Sequence, residues 1–468
     1  MPERLLFLTG HLAEARLRRL LQGLAEPPFA WQVLNVGVKV AALMTAPILR
    51  RRLPRPLPAD RVILPGRAGV DAEALADEFG VPFVPGPDEL ADLPAFLGFG
   101  ARPADLSCHD TRIFAEIVDA ATQPLESLVA RAAALRADGA DVIDLGCRPG
   151  FAFPHLEDAV RALKAVGHRV SVDSGDPDEL RRGALAGADV LLSLTEATLD
   201  VAEGTAAVPV LIPHAHGDLD SLLRAAALAQ TRGMACLLDP ILDPIHAGFT
   251  ASLGRYARLR ERLPRAELLM GTGNLTELTD ADSSGVTALL LGICSELAIR
   301  NVLVVQVSPH TRRTVAEHDM ARRIMHAARA NGDLPRGYAS GLLQVHDRRP
   351  FAASAADIAD DAASVRDANW RIAVAPDGIH AFNGSRHEIG TEALAFFPAL
   401  DVARDGAHAF YLGTELAKAQ IAWRLGKRYA QDAPLDWGCA APLPPRAAGR
   451  LAEAGHTLRA RRRYRDDT

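Results

Sequence analysis

Four residues stand where short apolar runs stop: Asp144, Arg148, Asp173 and Asp239. The runs lie within Asp141–Gly150, Arg169–Asp173 and Cys236–Pro240. A carboxylate accepts paired hydrogen bonds from a guanidine-like N–H edge, and an arginine clamps an anion with a forked set of donors. Together they suit a flat, nitrogen-rich heterocycle that carries an anionic arm. Two plainer roles compete. A strand-end aspartate often caps the next helix; Asp176 and Asp178 are better placed for that than Asp173, whereas Asp239 fits either role. Arg148, in a Pro-Gly loop, fits a solvent-facing turn as well as an anion clamp.

These side chains converge only if the elements beneath them do. Apolar strand candidates fall at 113–118, 141–145, 168–172, 189–194, 208–212, 235–238, 267–270 and 301–305. Most are Val/Ile/Leu runs without alternation, as strands buried on both faces should be, and helical patterns such as 125–135 and 220–230 separate them. Eight strand–helix units over 106–330 predict a (β/α)8 TIM barrel, whose C-terminal strand ends form one mouth. The rival, an open doubly wound sheet, would place the site at a switch point.

The loops at that mouth hold further candidates. Asn274, Glu277, Asp280 and Asp282 crowd the loop after the seventh strand, where barrels often bind phosphate. His310 and Arg312 follow the eighth strand and open a helix, a place suited to an anion. Asp119, after the first strand beside Glu116, is placed to hold magnesium against a diphosphate, or else lies in a surface turn. His214 and His216 lack a third fixed ligand, so zinc is not expected; nor is haem or nicotinamide.

The whole chain sets outer limits. At 468 residues it holds two or three domains. Its net charge of −6 argues against nucleic acid or a membrane surface as partner, despite a basic C-terminus. Five scattered cysteines suit reduced thiols in a cytoplasmic protein, and no apolar run spans a membrane. Residues 1–105 read as a small α/β domain, with strands near 5–9, 32–38, 62–64 and 82–84, a helix from His11 to about Leu24, and a connector at 87–103. Gly10-His11 offers either an anion site or a simple turn. Residues 331–438 read as a C-terminal α/β domain, with strands at 341–346 and 370–374, a hairpin return at 379–382 and a helix at 407–423. Residues 439–468 read as a flexible basic tail.

The segments Gly139–Gly150, Ser171–Ser174, Ala184–Asp189 and Leu237–Pro240 resemble, in order and spacing, the pterin-binding barrel of dihydropteroate synthases. The likeness covers about 106–330. With the N-terminal domain, Gly271–Ser283 and Tyr411–Ala419, the whole resembles the dihydropteroate-synthase-related proteins of methanogenic archaea and methylotrophic bacteria, a family associated with tetrahydromethanopterin. The resemblance implies that Asp173 and Asp239 hold the pterin ring, with Arg148 near the diphosphate or the arylamine. It also implies a homodimer paired through barrel helices, with apolar residues after Gly285. Departures are local. Glu116–Ala120 replaces the synthase's first-strand loop, and Ser193 stands for an asparagine after strand four. Thr272–Asn274 brings no lysine, and His310 and Arg312 stand near the place of an Arg-x-His clamp.

The implied activity is a synthase-like C–N transferase of tetrahydromethanopterin biosynthesis. It would join a dihydropterin methyl diphosphate to an arylamine phosphate of the ribofuranosyl-aminobenzene type, with magnesium on the diphosphate. A non-catalytic pterin or folate carrier is the alternative.

Overall fold

The computed structural model describes residues 2–88, 90–99 and 105–443. Residues 444–468 of the expected tail, 89 and 100–103 of the connector, and residues 1 and 104 lie outside the described residues. The chain divides into two compact units. One joins Met1–Pro103 to Val345–Asp436; the other holds Ala104–Gln344 with Trp437–Pro442.

In the first unit, β1 (Glu3–Thr9), β2 (Phe29–Asn35), β3 (Arg61–Leu64) and β4 (Phe83–Pro85) form a parallel sheet in the order β2-β1-β3-β4. Alternation along β1 sends Leu5 and Phe7 to one face with Leu17 and Leu21, and Leu6 and Leu8 to the other with Leu75. The helices His11–Gln22 and Ala72–Phe79 therefore cover opposite faces. Both pieces of the unit are tied together, for example by Lys39 to Asp367 at 2.9 Å and Arg428 to Asp92 at 2.9 Å.

The second unit holds β5 (Arg112–Ile117), β6 (Val142–Gly146), β7 (Arg169–Asp173), β8 (Val190–Leu194), β9 (Val208–Leu211), β10 (Leu237–Leu238), β11 (Leu269–Gly271) and β12 (Asn301–Val304). They pair in parallel in the order β10-β9-β8-β7-β6-β5-β12-β11. A parallel bridge from Leu238 to Leu268 closes the ring. The fold is the expected (β/α)8 barrel, and each strand falls within about two residues of its expected place. An inner layer of Phe114, Val142, Val190, Leu192, Val210, Leu237 and Leu269 plugs the ring. Outward residues such as Ile113, Ile143, Val172 and Leu191 pack on the helices. Burial on both faces explains the unbroken apolar runs.

The C-terminal segment of the first unit carries the antiparallel sheet β13 (Arg371–Ala375), β14 (Gly378–Phe382) and β15 (His387–Gly390), with a helix at Gly406–Leu425. The expected strand at 341–346 is absent. Among the described residues that stretch pairs with no strand. It is held instead by Gln344 donating to Glu317 and by the Gly341 carbonyl accepting from Cys439 N–H. Its apolar residues read as a strand because the sequence does not show that a partner is missing. None of the five cysteines forms a disulfide. Among the described residues no helix is long and apolar enough to cross a membrane.

Candidate active site at the barrel mouth

Parallel register brings the acids together. Glu116 on β5 aligns with Asp144 on β6, and Asp144 with Ser171 on β7. Two residues on, Gly146 aligns with Asp173. All point inward: Glu116 and Asp144 each lie two residues beyond a plug residue, Phe114 and Val142, and the register carries Ser171 and Asp173 to the same face. Asp239 follows β10. The plug is thus capped on its C-terminal side by Glu116, Asp144, Asp173 and Asp239, a layer of four carboxyls.

Their environment is dry. Asp144 is fully buried; Ser171 Oγ donates to its Oδ1 at 2.5 Å, and its Oδ2 has no partner among the described residues. Burial, reinforced by the charges of Asp173 and Glu116, holds the Asp144 carboxyl well above the ordinary range. Burial pushes Glu116 up to about 7, with the Asp173 charge adding to it. Asp173 is pushed up to about 6 by burial. Asp239 is also pushed up to about 6 by burial, against the stabilising hydrogen bonds of the Tyr256 hydroxyl and the Ile241 amide. Tyr256 OH donates to Asp239 Oδ1 at 2.6 Å and Ile241 N–H at 2.8 Å. Tyr256 is itself fully buried, so this pair is fixed.

The competing capping role goes elsewhere. Asp176 caps the helix Pro177–Ala186 by accepting from Asp178 N–H at 2.9 Å. Gly248 stands at the start of the helix after Asp239. The Asp173 carboxylate accepts no hydrogen bond from any described residue.

The remaining candidates are more dispersed. Arg148 is exposed, its guanidinium 4.7 Å from the Phe151 ring centre. Asp119 is exposed and accepts from Gln123 at 2.6 Å. Ser193 is half-buried at the end of β8. Asn274 donates to the Leu242 carbonyl at 2.7 Å. Glu277 accepts from Val307 N–H, Ser308 N–H and Thr311 Oγ, which makes it a strut between the loops after β11 and β12. Burial works against its charge, yet these bonds hold its carboxyl below the ordinary range. His310 Nε2 lies 3.0 Å from the Thr276 carbonyl, a second strut between the same loops. Asp282 is exposed at the start of the helix Ser283–Glu296, and Arg312 is exposed. Among the described residues no group of three or more His, Cys, Asp or Glu side chains is arranged to hold a metal ion.

Three residues of the site leave little trace in the sequence. Glu116 lies inside a strand run, and only its parity with Phe114 marks it as inward-facing. Tyr256 sits 17 residues beyond its partner Asp239, a spacing with no local signature. Asp243 is buried between His216 Nε2 (2.8 Å) and Arg255 Nη2 (2.8 Å), and Arg255 also donates to the Pro240 and Ile241 carbonyls. That network clamps the loop that carries Asp239.

A family of unknown function, DUF6513, matches residues 3–88. An uncharacterized protein of Methanocaldococcus jannaschii is 27% identical over 366 residues, 69% of this chain and 69% of its own length. Among solved structures, the dihydropteroate synthase of Thermus thermophilus in complex with 6HMPPP is 22% identical. The match covers 48% of this chain and 95% of that one, with a TM-score of 0.37. The 7,8-dihydropteroate synthase of Vibrio fischeri is 14% identical and matches 48% of this chain and 94% of its own, at a TM-score of 0.39.

Proposed function

We propose that the barrel mouth binds a dihydropterin through its carboxyl layer and condenses the pterin's methyl diphosphate with an arylamine. The observation that carries this reading is the unpartnered, buried Asp144 Oδ2 beside the unbonded carboxylate of Asp173. Buried acceptors without donors are costly, and a ligand with several adjacent N–H groups removes that cost. A pterin offers N3–H and an exocyclic amine on one edge, which matches a carboxylate's paired acceptors.

In the reaction, the arylamine nitrogen attacks the methylene carbon on the pterin ring. The new C–N bond forms as the C–O bond breaks, diphosphate leaves with the electron pair, and the nitrogen loses a proton. Asp173 and Asp239 orient the ring. Glu116, with its carboxyl near neutrality, is the member of the layer suited to exchange a proton at pH 7. Arg148 and Arg312, both exposed cations on mouth loops, are assigned to the two anions, the diphosphate and an arylamine phosphate. Asp119 supplies one carboxylate there, so magnesium would enter with the diphosphate and keep most of its waters. An arylamine phosphate of the tetrahydromethanopterin route fits the two-anion arrangement.

The test is diphosphate release. The protein is mixed with a dihydropterin methyl diphosphate and 4-(β-D-ribofuranosyl)aminobenzene 5′-phosphate, and diphosphate and the coupled product are followed. Stoichiometric appearance of both supports the reading. Pterin binding with no release favours a non-catalytic carrier.

A further inference from the structure

A cavity of about 300 Å³ lies within the unit formed by residues 1–103 and 345–436. That is the lower end of the range for small-molecule sites. Its place in the topology is informative. From β1 the chain moves to β2 on one side, then returns to lay β3 on the other. The order therefore reverses between β1 and β3, and in open parallel sheets ligands bind outside the C-terminal strand ends at such a reversal. The cavity is floored by those ends: Thr9 closes β1, Leu64 to Arg67 end and follow β3, and Gly86 follows β4. Topology and cavity are independent observations, and they coincide.

The lining selects the ligand. The walls are mainly apolar, with Leu12, Leu17, Leu93, Val365 and Phe382 among them. The arginines that reach the cavity are engaged. Arg16 donates to the Ala352 carbonyl at 3.0 Å, Arg67 to the Gln431 carbonyl at 3.3 Å, and Arg371 grips Asp367 at 2.9 and 3.0 Å. Asp361 differs: it lines the cavity, and its carboxylate takes no hydrogen bond from any described residue. Burial lifts its carboxyl above the ordinary range, partly offset by Arg16. A nucleotide phosphate is disfavoured here. It would need the free amides that open the helix His11–Gln22, but His11 N–H is bonded to the Val38 carbonyl at 2.9 Å and Leu12 N–H to the Lys39 carbonyl at 3.2 Å.

We propose that this cavity is a second small-molecule site, which takes a flat, apolar organic cation such as an aromatic amine or amidine and pairs it with Asp361. The body of the ligand lies against the leucines and Phe382, and its N–H groups meet the carboxylate at the β1/β3 switch point.

Benzamidine serves as the probe, titrated into the full chain by calorimetry, with AMP as the anionic comparison. Wild-type protein should bind benzamidine and not AMP. Asp361→Asn should weaken benzamidine at least tenfold, and Leu12→Trp, which fills the cavity, should abolish it. Circular dichroism and a thermal unfolding profile like that of wild type would show both variants folded; should one variant fail to fold, the other decides alone. No benzamidine binding to wild type at millimolar concentration, equal binding to a folded Asp361→Asn, or preference for AMP would each overturn the proposal.

Discussion

A side chain on Gly146 would collide with the carboxylate of Glu116: a Cβ built there falls against Glu116 Oε1 and lies 3.1 Å from the Val118 Cα. Glycine at the end of β6 thus makes room for an acid from the neighbouring strand, and the two positions are fitted to each other across the sheet. Gly146→Ala should push the Glu116 carboxylate out of the layer while the barrel stays folded, because the displaced group is the mobile end of a side chain. The pH dependence of dihydropterin binding near neutrality should flatten in this variant. An unchanged profile would separate Glu116 from the site.

The carboxyl layer also makes a claim about stability. Glu116, Asp173 and Asp239 have native pKa values of about 7, 6 and 6, above their ordinary values. The native state therefore holds more protons than the unfolded chain between about pH 4 and 7. The stabilisation is fully present below that window and is lost as pH rises through it. Buried His318 opposes the trend at the acid end, since burial lowers its pKa to about 4. The comparison is therefore with Glu116→Gln. Relative to wild type it should gain on the order of 1–3 kcal/mol at pH 8 over its standing at pH 5. Urea denaturation of ligand-free protein at both pH values measures this, and parallel curves would refute it.

Tyr256→Phe removes the donor that steadies Asp239. The variant should lose about 1–3 kcal/mol of stability, the cost of leaving a buried acceptor less satisfied. It should also bind dihydropterin more weakly, because the Asp239 carboxyl loses the bond that favours its charge. Thermal unfolding and calorimetry read the two effects, and weaker folding with undiminished affinity would remove Asp239 from ring recognition.

Arg148 stands for the anion end. Arg148→Ala should weaken the pterin methyl diphosphate by roughly tenfold or more, consistent with a charge-assisted bond of about 1.5–3 kcal/mol, and leave the free pterin almost unaffected. Equal weakening of both, measured side by side, would take Arg148 out of the diphosphate site.

The barrel was legible because its physics is local. A strand buried on both faces must be apolar throughout, so runs such as Val142–Ile143 and Val190–Leu192 announce themselves. Asp144, Asp173 and Asp239 were legible as polar residues that interrupt or end such runs. Glu116 was harder, since its role depends on register with β6 and on the glycine opposite. Partners from distant elements, such as Tyr256 for Asp239 or Gln344 for Glu317, leave no trace in spacing. The strand expected at 341–346 fails for the same reason: pairing is a property of two segments. One missed element was readable. Ser354 and Asp357 form a reciprocal capping box before the helix Ala355–Ser364, and that serine-x-x-acid spacing is a start signal.

The central claim rests on Asp173, a carboxylate held up to about 6 by burial, with no donor of its own among the described residues, at the mouth of the barrel. Calorimetry of a dihydropterin against wild type and Asp173→Asn tests it directly. The substitution turns one acceptor into a donor that faces the ligand's own N–H group, at a cost of about 2–5 kcal/mol. Affinity should therefore fall roughly a hundredfold or more, with the thermal midpoint no lower than that of wild type, because the side chain lies above the apolar plug and burial disfavours the charge that is removed. A folded variant that binds the dihydropterin as tightly as wild type would contradict the account.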